Sequence, residues 1–225
     1  MKIDLTPFYR KIEELAKLAD ATVERVKTEY PEQVRCIPGC ADCCHALFDL
    51  TLAEALYINH QFALKFQGEK KSELLEKANR ADRQAFKLKK KAYQDYKKGK
   101  KETEIVLEMA NERIECPLLS AEDLCELYDH RPITCRFYGI PTLIGGMTHT
   151  CGRSEFEEGV SYPTVKLDRI QTRLMDISRE IVREIDSKYG TMGEMLVPLS
   201  MALLTDYTEE YLGIVKEVEK EKTEG

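Results

Sequence analysis

Four of the chain's eight cysteines fall within nine residues as Cys36-x3-Cys40-x2-Cys43-Cys44; the others, Cys116, Cys125, Cys135 and Cys151, follow in a later segment. Closely spaced thiols suit two chemistries. Zinc takes four nitrogen or sulfur ligands in a tetrahedron, with Zn–S at about 2.3 Å, and one short loop supplies two or three of them. Iron–sulfur clusters draw on the same closely spaced thiolates. Structural disulfides are a third use, disfavoured in reducing compartments. The N-terminal stretch lacks the apolar run and small-residue cleavage site of a secretory signal. No apolar run approaches the roughly 20 residues that span a bilayer. The cytoplasm is therefore the expected location, and there a thiol cluster reads as metal binding or redox chemistry.

All eight cysteines are candidate metal ligands. Cys43 and Cys44 are adjacent, so their side chains leave the backbone in different directions, and one of them can serve a second site. The segment carrying the later four is rich in Gly, Pro and Thr and lacks long helical periodicity. Folded back onto the Cys36–Cys44 loop, it would build one compound site or two neighbouring ones, with metal binding coupled to its folding. His45 and His149 are further candidates beside the thiols, since neutral imidazole is a common zinc donor. Arg131 and Arg136 flank Cys135 and are placed to neutralise thiolates, with surface ion pairs as the plainer alternative. Tyr128 and Tyr138 are placed to shield the site, which core packing would explain equally well.

The ordered set Cys36-x3-Cys40-x2-Cys43-Cys44, Cys116-Pro-Leu-Leu, and Cys125-Glu-Leu-Tyr-Asp-His-Arg-Pro-Ile-Thr-Cys135-Arg136 resembles the YkgJ-type cysteine-cluster family, whose signature is written CxxCxxCC. The resemblance implies a zinc- or iron-chelating domain over about half of the chain. The first spacing here is three residues rather than two. A more distant similarity to flagellin lysine N-methylases, which carry a like cluster, admits a methylase relative. The glycine-rich strand–loop–helix of a Rossmann methyltransferase is absent from the sequence. The CxxxCxxC spacing of radical S-adenosylmethionine enzymes is present, but the strands their barrel requires are not expected.

The elements that must position these residues read as helices. The expected fold is mainly α, a helical bundle with a loop-rich cysteine segment, in a single domain over residues 1–225. An N-terminal helix is predicted over 6–30, with Thr6 as N-cap, Pro7 in the first turn, and Phe8, Ile12, Leu15, Leu18, Val23 and Val26 facing inward. Pro31 ends it, and Ile37-Pro38-Gly39 is a turn. Thr51-x-x-Glu54 forms a capping box opening a second helix. A Lys-rich helical segment covers 69–110, with a break or a bend at Gly99. The cysteine core spans about 36–151, with short helical turns or a small hairpin expected within it and Gly145-Gly146 a candidate turn. C-terminal helices fill 164–220: Thr164–Lys188, Met192–Leu204 and Tyr207–Lys220, with a solvated tail from Glu217.

The net charge is −6 but uneven: residues 65–101 hold 14 Lys/Arg against 5 Asp/Glu. This basic stretch, with Lys87, Lys89, Lys90, Lys91, Phe86, Tyr93 and Tyr96, could meet an acidic partner. An acidic chain without a nucleic-acid module argues instead for a solvated helical face. No Ser–His–Asp order, phosphate loop or His-Glu-x-x-His helix is visible, and whether the chain is an enzyme stays open. The function expected is chelation of zinc or an iron–sulfur cluster, in metal handling, redox sensing or protein maturation. The alternatives are an iron–sulfur methylase-like or redox enzyme, and a zinc-stabilised module for a protein partner.

Overall fold

The structure, a computed structural model, describes residues 4–214. It is mainly α. Helix α1 (Thr6–Glu29) buries Phe8, Ile12, Ala16, Ala19 and Val26, a stripe at three-, four- and seven-residue spacing that turns one face to the core. Leu18, expected inside, is 58% exposed, because the stripe runs through its neighbour Ala19. The expected Thr6 cap is also displaced. Leu5 is the N-cap and Thr6 is already helical, its N–H donating to the Asp4 carboxylate at 2.9 Å.

Strand β1 (Asp49–Thr51) runs straight into helix α2 (Leu52–Lys65), and the capping box forms as expected, Thr51 accepting from the Glu54 N–H and Glu54 reaching back. Every residue from Leu52 to Ile58 is buried. A helical stretch buried on all sides must be surrounded, and α2 packs against α1, α6 (Leu167–Glu184) and α7 (Leu199–Leu204). Ser178 of α6 fixes the start of α2. Its hydroxyl accepts from the Ala53 N–H and donates to the Leu174 carbonyl, both at 3.0 Å.

The Lys-rich segment is a helical hairpin, α3 (Gly68–Lys97) and α4 (Glu102–Ala110). It breaks at Gly99, whose φ of +91° suits a residue without Cβ. Lys89 on α3 clasps both oxygens of Asp49 at 2.7 Å.

The loop-rich segment holds a short helix α5 (Ile133–Phe137) and the hairpin β2 (Thr142–Ile144) and β3 (Met147–His149). Gly145 and Gly146 both have positive φ, as a tight two-residue hairpin turn requires. Strand β4 (Val165–Lys166) pairs parallel to β2, so the helix expected from Thr164 starts at Leu167.

The expected Met192–Leu204 helix is a correction. Residues Gly190–Glu194 form a 3-10 turn, and β5 (Leu196–Pro198) pairs antiparallel with β1; only Leu199–Leu204 is α-helical. Pro198 has no N–H for a helix interior, whereas β-branched Val197 is buried opposite Leu50. The expected helix from Tyr207 is turns as far as Ile214; its remainder and the tail from Glu217 lie outside the described residues.

Two large apolar clusters form most of the core, with a smaller one of Ala81, Ala85 and Ile114 under α3. One surrounds α2; the other joins α1, α5 and the start of α6 through Val26, Val34, Ile133, Phe137 and Leu174. Cys116 and Cys125 pack on the first, and Cys135 rides on α5, so the thiols collect between the two.

Candidate metal centre

Each cysteine is delivered by a short, strongly bonded piece of backbone. The Ile37–Cys40 turn closes with Cys40 N–H on the Ile37 carbonyl at 3.0 Å. A 3-10 turn, Asp42–His45, then carries Cys43 and Cys44. With three residues per turn, adjacent side chains point about a third of a circle apart. The next segment lies along this turn: Cys116 N–H donates to the Cys44 carbonyl at 2.7 Å and Ile114 N–H to that of His45 at 3.1 Å. A tight loop around Ser120 returns the chain so that Cys125 bridges to Leu119. Cys151 follows β3 in a turn closed by Ser154 N–H on its carbonyl at 2.9 Å.

Cys135 owes its place to Glu54. That carboxylate is 2% exposed and accepts from the Ile133 N–H at 3.1 Å, capping α5 as well as α2. Burial raises its pKa, against the hydrogen bonds from Ile133 and Thr51.

Cys36, Cys40, Cys43, Cys135 and Cys151 line one enclosed pocket of about 30 Å³, with Asp42 and Tyr138 in its wall. The remaining three lie beyond Cys43. Cys44 donates to the Cys43 sulfur, which with help from the Arg131 charge holds Cys43 below the usual thiol range. The same bond, then burial and nearby Cys116 and Cys125, pushes Cys44 far up. Burial drives Cys116 to about 12. Cys135 is raised well above the usual thiol range, first by burial and then by Cys43, Cys116 and Cys125. Burial also raises Cys36, Cys125 and Cys151. Cys43 thus neighbours both an outer set facing the pocket and an inner set of Cys44, Cys116 and Cys125. Among the described residues no three Cys, His, Asp or Glu groups already converge as an assembled metal site. The thiols share a pocket and an electrostatic neighbourhood, and in composition they suit zinc or iron.

Asp42 was not among the residues expected from sequence, although it stands between Cys40 and Cys43. It accepts from the Cys151 thiol at 3.6 Å and from Arg113 at 2.7 Å. Burial works to raise its pKa, but Arg113, Tyr138 and Cys151 hold it below the usual carboxylate range. Arg113 ties the foot of the α3–α4 hairpin to this wall.

The two arginines divide. Arg131 stacks on Tyr128 at 4.0 Å and its charge favours the thiolates of Cys36, Cys43 and Cys125. Arg136 points elsewhere, to Asp20 and the Asp129 carbonyl, as a strut between α1 and α5. Of the tyrosines, Tyr138 lines the pocket and Tyr128 is 59% exposed. His149 is exposed on β3. His45 holds the Ala41 carbonyl through Nδ1 at 3.0 Å. His130 bonds Tyr57 at 2.8 Å, and His60 stacks on Tyr9.

A helical scaffold that gathers eight thiols from four stretches of chain defines the class of cysteine-cluster proteins. Within it, the chain belongs to the family described as "CxxCxxCC: Putative zinc- or iron-chelating domain", which residues 35–152 match, just over half of the 225. No curated protein and no solved structure matches the chain. Among the described residues, no helix is long and apolar enough to cross a membrane.

Proposed function

We propose that this chain is a metal-handling protein that binds zinc through its cysteine cluster. The observation that carries this is the enclosed pocket lined by five cysteines from three separate stretches of chain. Four thiolates, the tetrahedral set that zinc takes in closed structural sites, can be drawn from these five. Cys40, Cys43, Cys135 and Cys151 are the proposed outer ligands, with Cys44, Cys116 and Cys125 as a neighbouring inner set. Arg131 offsets part of the thiolate charge, and Asp42 orients Cys151 as an outer hydrogen-bond partner. Metal and acid-labile sulfide analysis of protein purified without oxygen tests the reading. Stoichiometric zinc, lost when Cys40 and Cys43 are replaced by serine, is expected; metal content unchanged in that variant would sink it.

A second reading is an interaction module, and one observation favours it. The α3–α4 hairpin exposes Phe86, Tyr93, Tyr96, Val106 and Leu107 beside its lysines. Charge reversal at Lys87, Lys90 and Lys91 would then abolish binding to an acidic partner while metal content is kept. Lys89 is left out of that test because it holds Asp49.

A further inference from the structure

The thiol pocket and a larger surface cleft share one wall, made by Arg35 and Cys36, and Cys36 is the thiol in it. The cleft is a groove open to solvent, of about 440 Å³, lined by Glu24, Lys27, Thr28, Val34 and Arg35 together with Cys36. The pocket behind it is about 30 Å³ and again includes Cys36. Of the eight cysteines, Cys36 is the exposed one and the other seven are half-buried. A volume of this size falls within the roughly 300–1,000 Å³ of small-molecule sites. Lys27 and Arg35 give the cleft cationic groups. Arg35 is held by Glu155 through two hydrogen bonds at 3.0 and 2.8 Å, whereas the Lys27–Glu24 pairing at 4.0 Å is solvent-exposed, where such a pair is weak and exchanges readily, so Lys27 is the cation available to a ligand.

We propose that Cys36 is an exchange thiol, accepting the metal from a small anionic thiol chelate seated in the cleft and passing it to the pocket cysteines. The proposal rests on the metal-binding reading. In the first step a metal–sulfur bond forms to Cys36 as the bond to the chelate's sulfur breaks, and the Cys36 proton moves to the departing thiolate. In the second, a pocket thiol bonds the metal, its proton returns to the Cys36 sulfur, and the metal–Cys36 bond breaks. No electrons are transferred. Ligand-by-ligand substitution of this kind needs one thiol reachable from both sides, which Cys36 is.

The test uses the full chain, freed of metal, with zinc–glutathione as donor, and reads both the transfer rate and the zinc held at equilibrium. Cys36→Ser is expected to hold the wild-type amount of zinc while transfer slows at least tenfold. Lys27→Glu is expected to slow transfer from zinc–glutathione several-fold and leave uptake of aqueous zinc unchanged. An unchanged rate in Cys36→Ser overturns the proposal. So does a reduced zinc content in that variant, which would make Cys36 a resident ligand and leave the metal-binding reading intact. A wild-type chain that takes up no zinc sinks the underlying reading first. Should Cys36→Ser fail to fold, one equivalent of iodoacetamide on the zinc-loaded wild type replaces it. A single adduct at Cys36 with zinc retained is expected, and an adduct elsewhere or zinc release overturns the proposal.

Discussion

Gly139 lies against Cys36 so closely that a Cβ at position 139 would stand 2.9 Å from the Cys36 Cβ and 3.6 Å from its sulfur. Its φ is not in the left-handed region, so the position needs glycine for space, not for backbone freedom. The turn that follows the Cys135 helix thereby seats Cys36, four residues beyond Cys135.

Gly139→Ala should therefore displace Cys36 and cost about 1–3 kcal/mol, the usual range for overpacking. Chemical denaturation of the metal-free protein checks the cost. Iodoacetamide reactivity checks the displacement, with Cys36 expected to react faster than in the wild type. Unchanged reactivity would mean that the backbone gives way instead.

Glu54 ties two helix starts together. Glu54→Ala would leave the buried Ile133 N–H without its acceptor and remove half of a capping box, for a combined loss of about 2–4 kcal/mol. Because Ile133 opens the helix bearing Cys135, zinc affinity should fall in the same variant. Full stability with intact affinity would contradict the arrangement.

The same carboxylate gives a pH dependence of known sign. Burial raises its folded pKa above the ordinary 4.5, so between the two values the folded chain holds a proton that the unfolded chain has lost. Its contribution is fully present below pH 4.5 and is lost as pH rises through the folded pKa. The stability of the wild type minus that of Glu54→Gln should accordingly shrink with rising pH, measured by denaturant titration at several pH values. A difference that grows with pH would reverse the assignment.

Arg136 is 6% exposed and anchored on Asp20 of α1. Asp20→Asn should cost about 1–2 kcal/mol, less than a fully buried pair, because Asp20 is itself half in water. Asp20 also accepts from Arg131 at 3.3 Å, so Arg136→Met is the variant that isolates the strut, and its zinc content should not change, since Arg136 braces α5 on α1 and takes no part in the thiol pocket. Loss of zinc would place Arg136 in the site after all.

Zinc should stabilise the fold by mass action: a free concentration one hundred times Kd contributes about 2.7 kcal/mol. A chelator should reverse the resulting rise in Tm and expose the backbone around residues 113–152 to protease. An unaltered Tm would separate the metal from the folding of that segment.

Much of this was legible along the chain because it is local. A capping box needs only Thr51 and Glu54, a hairpin turn only Gly145-Gly146, a helix break only Gly99, and the Cys36–Cys44 cluster declares thiolate chemistry by spacing. The family signature is local in the same sense. What failed or stayed hidden depended on distant partners. Leu196–Pro198 read as helix because its apolar residues have no period of their own, and the edge offered by Asp49–Thr51 made it a strand. Arg131 and Arg136 look alike beside Cys135 and share Asp20 on another helix; only the fold shows that Arg136 turns its remaining donors to the Asp129 and Arg131 carbonyls while Arg131 stacks on Tyr128 with its charge toward the thiols. Glu54 appeared to cap one helix and caps two. Cys36 looked like any other cysteine of its cluster until Gly139, more than one hundred residues later, fixed it between a cleft and a pocket. Sequence sets which groups are present and how neighbours within a few residues bond; enclosure, exposure and pairing follow only when the chain folds back on itself.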